Sequence, residues 1–468
     1  MMIEDYDSDV VIVGGGPAGS TVATLLAMKG HSVTVLERLK FPRDHVGESL
    51  LPFCYWVFEE LGVLEEMKRR YVRKPGVRFL DVDGTTNTMY CFKDTLKDPS
   101  HLSFQVLRSE FDELLLLNSA RNGAAVHQET RVDSIDFDDG GAVVTATGPD
   151  GQTRSIRTRF VIDASGRETF LANRMGTKTA HKELDRTSLS SHWSGVKYQG
   201  GLDEGLIQIL YTGGEKQGWI WMIPISVDRV SAGVVMNSSY FRSQRAELKS
   251  QGSEDWRQAL YIQELMSSPF TRDVMTDATQ LWDVIYNGDY SYAVGTKWGD
   301  DFAIVGDASA FIDPIFSSGV YLAMESARRL SRAVDVRLRK GADEARAEFE
   351  SVYGTIVAAY QLVDKLIRLF YTPEAINWAQ LGGAEDVLYQ HYEDCMSLQH
   401  YILAGDFFEQ ANKYDDFLDT LRDPRLFRAY KKMVIERPAF IRSTCDAQDT
   451  AFPPTLAECD LERAARGI

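Results

Sequence analysis

A β-branched run, DVVIV at residues 9–13, breaks into GGGPAG and then into an Ala/Leu-rich stretch that reads as a helix to about Met28. Gly14, Gly16 and Gly19 stand in G-x-G-x-x-G spacing. The first glycine permits a tight turn, the second lets backbone approach a pyrophosphate, and the third lets helix and strand pack closely. Pro17 and Ala18 open the helix, whose first N–H groups and positive dipole end suit an anion. Gly30 closes it, and SVTVLE resumes as a second strand ending at Glu37 and Arg38. Glu37 lies 21 residues after Gly16, where a carboxylate can accept from ribose hydroxyls. The unit is a βαβ dinucleotide site, and the fingerprint alone suits NAD as well as FAD.

Later segments favour FAD. FAIVGDASAF repeats the buried-strand pattern and puts Asp307 just beyond it, placed for a second ribose. SSGV then opens another helix, whose N-terminal amides suit the negative pyrimidine edge of an isoalloxazine. VIDASG, residues 161–166, is a further strand-end turn, with an ordinary β-turn as the alternative.

Between these segments lies sheet. Residues 77–106 alternate with Gly and Pro breaks, and short strands are expected near 124–128, 131–137, 142–147 and 154–162. Ser109 and Asp112 have capping-box spacing ahead of FDELLLLNSARN, which Gly123 ends. Residues 190–236 hold more strand-like runs, helices follow to about 268, and from about 318 the chain reads as helices. The expected fold class is α/β: a Rossmann-like FAD-binding domain (1–78, 104–188, 295–335), an interleaved antiparallel β-sheet substrate domain (79–103, 189–294) and a helical C-terminal region (336–468).

Composition closes off other classes. A formal charge of -17 gives no attraction to a polyanion, so nucleic acid is not an expected partner. The start of the chain is acidic and runs straight into a strand, unlike a signal peptide, and no apolar run approaches the ~18 residues of a membrane span. Five scattered cysteines without a C-x-x-C pair fit a reduced, cytoplasmic setting better than a disulfide framework. His391 and Cys395, four apart, read as a helix face rather than a metal pair, and no metal is expected.

GGGPAGS, FPRDHVGESLLP, QVLRSEFD, FVIDASG and AIVGDASAFIDPIFSSGVYLAM together resemble the flavin monooxygenase superfamily with the p-hydroxybenzoate hydroxylase fold. The resemblance implies cofactor contacts from Gly14, Gly16, Ala18, Gly19, Glu37, Arg38, Arg43, Glu48, Ser49, Arg108, Asp307, Ser318 and Gly319. GWIWMIP, residues 218–224, is similar to the W-x-W-x-I-P signature of flavin-dependent halogenases. It implies that Trp219, Trp221 and Pro224, with Ile223, keep substrate away from flavin. Lys74 matches the family's lysine, with Arg73 and Lys68 as competing assignments.

What the resemblance implies is a halogenase using FADH2, O2 and chloride or bromide. The halide sits at the Ser318 and Gly319 amides, and hypohalous acid passes to Lys74, which polarises it or forms a chloramine. Tryptophan halogenases carry glutamate where this chain has Phe316, so the chain looks more like the phenol and pyrrole branch. That branch implies a small aromatic substrate, free or tethered to a carrier protein; no second G-x-G-x-x-G is present, and the resemblance implies that a separate flavin reductase supplies reduced FAD. Cations at 328–340 and 428–442, Lys431 and Lys432 among them, are the candidate carrier dock. The rivals are an aromatic hydroxylase of the same fold and a non-catalytic flavin-binding or carrier-docking protein.

Overall fold

The computed structural model describes residues 6–197, 201–288, 291–372, 378–380, 401–422, 425, 445 and 451–453. The fingerprint folds as its spacing requires. Strand Ser8–Val13 feeds helix Pro17–Met28, with Gly16 as N-cap and Pro17 in the first turn, and strand Val33–Leu36 returns beside it.

These strands belong to a seven-stranded sheet. Its order is Ala125–His127, Val33–Leu36, Ser8–Val13, Thr153–Asp163, Gly141–Thr147 and Arg131–Asp138, with Phe302–Ile304 also paired to Thr153–Asp163. Strand Thr153–Asp163 does two jobs. Its first half pairs antiparallel with Gly141–Thr147, and its second half pairs parallel with Ser8–Val13. The parallel register aligns Leu36, Val13, Asp163 and Ile304 at one edge. Segments 302–304 and 153–163 are far apart in sequence, yet their carboxyl ends converge where open α/β sheets bind ligands.

A second sheet has eight strands. Its order is Thr279–Gln280, Arg186–Ser194, Arg229–Asn237, Gly218–Ser226, Ile207–Thr212, Gly76–Leu80 and Asn87–Cys91, with Ile285–Asn287 also on Arg186–Ser194. The strand carrying GWIWMIPIS alternates by face. Trp219, Trp221, Ile223 and Ile225 join the main core, whereas Ile220 and Met222 join a separate core with Phe241, Leu260 and Leu265 of two helices, Ser238–Ser250 and Trp256–Leu265. Pro224 sits where the register shifts, a bulge position at which a strand tolerates proline. Gly76–Leu80 pairs parallel, not antiparallel, with Ile207–Thr212.

Helices Gly319–Lys340 and Ala342–Phe370 pack against each other, and the first of them against Pro17–Met28. Ile356, Val363, Ile367 and Phe370 are buried along the second, while Val357 and Tyr360 are only partly so. Helix Ala411–Arg422 contacts that same helix.

Two expectations are corrected. Cys91 and Cys445 form a disulfide across a separation of 354 residues. Spacing carried no sign of it, because the two cysteines meet only through the fold. The capping box is also absent: helix Arg108–Arg121 has Leu107 as N-cap with no side-chain cap, since the Asp112 carboxylate is held by Arg108 and Arg43. His391 and Cys395 lie outside the described residues. Among the described residues no helix is long and apolar enough to cross a membrane, and no group of three or more metal-ligating side chains occurs.

Candidate functional site

A long cleft runs along the carboxyl edge of the parallel strands. It is lined by Gly14, Gly16, Ala18, Glu37, Arg38, Arg43, Glu48, Ser49, Arg108, Asp307 and Gly319, so segments spread over some 300 positions of sequence meet in one groove. Gly19 does not line it. Its place is structural: a Cβ there would lie 2.0 Å from the Gly14 carbonyl oxygen. Gly14 has φ +101°, and a Cβ on it would meet the Ala164 oxygen at 2.4 Å. Gly16 faces open space apart from Arg43, whose Nη2 would lie 3.6 Å from a Cβ there, so the groove floor at the helix start is bare backbone.

Glu37 is bonded within the chain. Its Oε2 accepts the Gly15 N–H at 2.8 Å and its Oε1 accepts the Leu39 N–H at 2.8 Å. Each oxygen keeps a second lone pair for a hydroxyl in the cleft. Arg38 is half-exposed and pairs with Glu168 at 2.7 Å across the cleft rim, a contact of little stabilising value.

Arg108 is buried and makes four hydrogen bonds. Nε and Nη2 grip Asp112 at 2.8 and 2.9 Å, and Nη1 donates to the Val46 and Gly47 carbonyls at 2.8 and 3.2 Å. It therefore shapes the 46–49 loop. Burial would raise the Asp112 carboxyl, but Arg108 and Arg43 outweigh it and hold that group below the usual carboxylate range. Arg43 also lies over the Phe41 ring, 4.6 Å from its centroid.

Glu48 has a partner that the sequence did not reveal. Its Oε1 bonds His192 Nε2 at 2.7 Å, with both side chains 4% exposed, and the His192 ring stacks on Trp282 at 3.7 Å. Asp307 lies beyond strand Phe302–Ile304 as expected. Burial pushes its carboxyl up to about 6 against the pull of Arg108 and Arg167.

Ser318 is the N-cap of the 22-residue helix Gly319–Lys340, after Ser317 in the left-handed region at φ +56°. Ser318 Oγ and Ser49 Oγ are buried and make no hydrogen bond to the protein. Ser318 itself does not line the cleft, although its neighbours Ser317 and Gly319 do. Bare backbone at Gly16, the Ser49 hydroxyl in want of a partner and two helix starts facing one groove are the donor set that an FAD would satisfy.

Trp219, Trp221 and Ile223 line the same cleft, but Pro224 does not. The indoles are fixed: Trp221 Nε1 donates to Ser231 Oγ at 3.1 Å, and Trp219 Nε1 donates to Tyr371 Oη at 2.8 Å. Tyr371 in turn donates to Asp313 Oδ2 at 2.9 Å, tying the wall to the turn before Ser317. Burial pushes the Asp313 carboxyl up to about 6, Tyr371 and the Ile315 N–H opposing. Sequence reasoning missed this relay, because Tyr371 lies in a region read only as helix.

Lys74 ends the strand Val72–Lys74 and is 1% exposed. Nζ donates to the Leu50 carbonyl at 2.9 Å and sits 5.6 Å from the centroid of Phe92. Burial pushes its amine down to about 7, so at neutral pH the free base is a major species. The competing cations differ. Lys68 is partly exposed and paired with Glu65, and the Arg73 guanidinium lies over Phe104. Lys74 is not among the cleft's lining, whereas the indole strand that is packs against the Lys74 strand.

Phe316 is buried against Phe370 and Trp378, with ring centroids 6.0 and 5.8 Å away. The cations of 328–340 are largely committed: Arg328 and Arg329 to Glu325, Arg337 to Asp301 and Arg339 to Asp335. That segment therefore makes a poor acidic-partner surface, and 428–442 lies outside the described residues.

Comparison with known proteins agrees with this layout. The Tryptophan halogenase family model matches residues 9–93 and 82–387. A tryptophan 2-halogenase of Chondromyces crocatus is 35% identical over 388 residues, 80% of this chain and 72% of that protein. A 1H-pyrrole-2-carbonyl-[peptidyl-carrier protein] chlorinase of Pseudomonas fluorescens is 29% identical over 90% of this chain and 94% of its own. The structure of the flavin-dependent brominase Bmp2 superposes with a TM-score of 0.74 at 25% identity, covering 92% of this chain and 100% of that one.

Proposed function

Because the chain belongs to the tryptophan halogenase family and is a flavin-dependent halogenase using FAD and a halide, we propose that it halogenates an electron-rich phenol or pyrrole ring through Lys74. Bound reduced FAD supplies the activation of O2 that oxidises the halide to hypohalous acid.

The residues do the rest. Gly14, Gly16, Glu37, Arg43, Glu48, Ser49 and Asp307 hold the cofactor, and Arg108 holds the loop that carries Glu48 and Ser49. The amides at Ser318 and Gly319 bind the halide, where a long helix begins. Trp219 and Trp221, locked by their hydrogen bonds, keep an aromatic ring off the flavin. The free amine of Lys74 then attacks the halogen of hypochlorous acid: a nitrogen–chlorine bond forms, the oxygen–chlorine bond breaks, and water leaves. The ring carbon takes the chlorine from nitrogen, and the ring's proton returns to the amine.

The observation that carries this reading is the burial of Lys74 with its amine near neutrality, behind the indole strand. An ammonium in solvent would be a poor nucleophile and would lose oxidant to water. The names of the relatives point to two rings, a tryptophan and a carrier-bound pyrrole. The 2-position of an indole is itself a pyrrole-ring carbon. Phe316 in its aromatic surroundings offers no carboxylate to stabilise a cationic indole, which supports the self-activated rings. A separate flavin reductase supplies FADH2, and we assign the discontinuous segments 1–78, 104–188 and 295–335 to the flavin domain.

The test supplies reductase-generated FADH2, O2 and chloride or bromide with phloroglucinol, free pyrrole-2-carboxylate and its carrier-protein thioester. Product masses showing halogen in place of hydrogen are expected. A hydroxylated product would instead make the protein an aromatic hydroxylase, and no halide-dependent product from any ring would leave only a flavin-binding protein.

A further inference from the structure

His192 is a buried ionisable side chain on strand Arg186–Ser194, a place where a hydrocarbon would pack at less cost. It stands opposite Ser231, and Ser231 stands opposite Ile223 on the next strand. Cross-strand partners share a face, as do neighbours two residues apart. His192 therefore lies on the face of the eight-stranded sheet that carries Trp219, Trp221 and Ile223. Ser231 Oγ already holds the Trp221 indole there.

Its partner reaches into the flavin cleft. His192 Nε2 and Glu48 Oε1 are 2.7 Å apart, and Glu48 lines the cleft while His192 lies behind it. The bond uses one carboxylate oxygen and leaves the other to the cofactor. The second ring nitrogen, Nδ1, is buried and has no hydrogen bond to the protein. Such an orphan costs roughly 1–3 kcal/mol, so it calls for a partner from outside the chain. The ring stacks on Trp282, which is only partly buried between exposed Leu281 and Asp283. His192 thus lies one indole beneath the surface.

The reaction in the cleft consumes a proton. Reduced FAD, O2, halide and one proton give oxidised FAD, hypohalous acid and water, the flavin and the halide each giving two electrons to O2. Without that proton, reduced FAD and O2 give oxidised FAD and hydrogen peroxide, and the halide is untouched. A cleft closed around the cofactor must hold a proton and replace it at every turnover. Resting on the reading that halide becomes hypohalous acid here, we propose that Glu48 and His192 are the relay that supplies this proton. Glu48 releases it into the cleft, His192 Nε2 refills the carboxylate, and Nδ1 takes a proton from water. An imidazole suits the task because either nitrogen can give or accept.

The other charged groups around the pair are placed differently. Arg108 grips Asp112, Arg186 lies at the far end of the His192 strand over the Tyr371 ring, and Arg229 lies 5.9 Å from the Trp282 centroid. His45 lines the cleft but is exposed and bonded to the Val46 carbonyl. Asp307 also lines the cleft, and burial pushes its carboxyl up to about 6. Among the described residues, however, no imidazole is bonded to Asp307 to refill it.

Two measurements test this. In a crystal structure with oxidised FAD, Glu48 should keep its bond to His192 and turn its other oxygen to the isoalloxazine, directly or through one water. Nδ1 should hold an ordered water. A carboxylate turned away from the flavin, or an Nδ1 saturated by protein, would overturn the relay. In turnover with reduced FAD, O2 and bromide but no aromatic ring, methionine traps free oxidant as its sulfoxide, and hydrogen peroxide is measured beside it. His192→Gln keeps an N–H for Glu48 but cannot pass a proton on. Its bromide-dependent sulfoxide should fall about a hundredfold, the low end for a lost proton-transfer group, with peroxide rising in its place. Oxidised FAD should still bind the variant within about twofold of native, read by quenching of flavin fluorescence. A native sulfoxide yield, or a fall matched by lost FAD binding, would leave His192 a prop for Glu48 and overturn the relay alone. No bromide-dependent sulfoxide from the native protein would sink the underlying reading and the relay with it.

Discussion

Replacing Lys74 by Met removes the amine and keeps the length of the side chain in its apolar surroundings. The consequence for stability follows from one group. The lysine amine ordinarily titrates near 10.5, and burial pushes Lys74 down to about 7. At 1.36 kcal/mol per tenfold, holding the ammonium in that site costs roughly 5 kcal/mol. Below pH 7 the amine is protonated in both folded and unfolded chains, and the cost is constant. Between pH 7 and 10.5 the unfolded chain binds the proton and the folded chain does not, so native stability rises with pH. From pH 6 to 9 that rise is about 3 kcal/mol. Lys74→Met lacks it, so the variant should gain on the native protein at pH 6 and give back about 3 kcal/mol of that lead by pH 9. Urea unfolding of both proteins at pH 6, 7.5 and 9 measures the difference directly. A gap that stays constant with pH, or moves the other way, would show that Lys74 is not held near neutrality and would remove the case for a nucleophilic amine.

Glu37→Ala frees the Gly15 and Leu39 amides and should weaken FAD binding by roughly tenfold or more, read by quenching of flavin fluorescence. Tyr371→Phe strands Trp219 Nε1 and takes a donor from Asp313; a loss of about 1–3 kcal/mol is expected in thermal unfolding, with a changed tryptophan emission. Phe316→Glu buries a carboxylate among Phe370 and Trp378, and should cost about 3 kcal/mol or more, lessening as pH falls and the carboxyl protonates. Methionine-resistant halogenation by the native protein should climb as pH rises through about 7 and level off above, following the free amine of Lys74.

Local chemistry made the flavin end readable. Gly14, Gly16, Gly19 and Glu37 lie within one βαβ unit, where backbone sterics and hydrogen bonding over a short span dictate the turn. The alternation in GWIWMIP was legible for the same reason, since period 2 puts Trp219 and Trp221 on one face. What stayed hidden depends on distant segments meeting. Glu48 with His192, Trp219 with Tyr371 and Asp313, and Cys91 with Cys445 are each set by packing between sheets and helices, and no spacing encodes them. The Ser109–Asp112 capping box failed because a stronger partner, Arg108, competes for the same carboxylate. The orphaned Nδ1 of His192 and Oγ of Ser49 are a fact of burial, invisible to a reading of residue types alone.

Most depends on Lys74 holding the oxidised halogen between flavin and ring. Protein supplied with reduced FAD, O2 and bromide but no ring, then passed rapidly through a desalting column, should still brominate phloroglucinol added afterwards, to about one equivalent per chain, and Lys74→Ala should yield none. No product from the desalted native protein, or equal product from the variant, would contradict it.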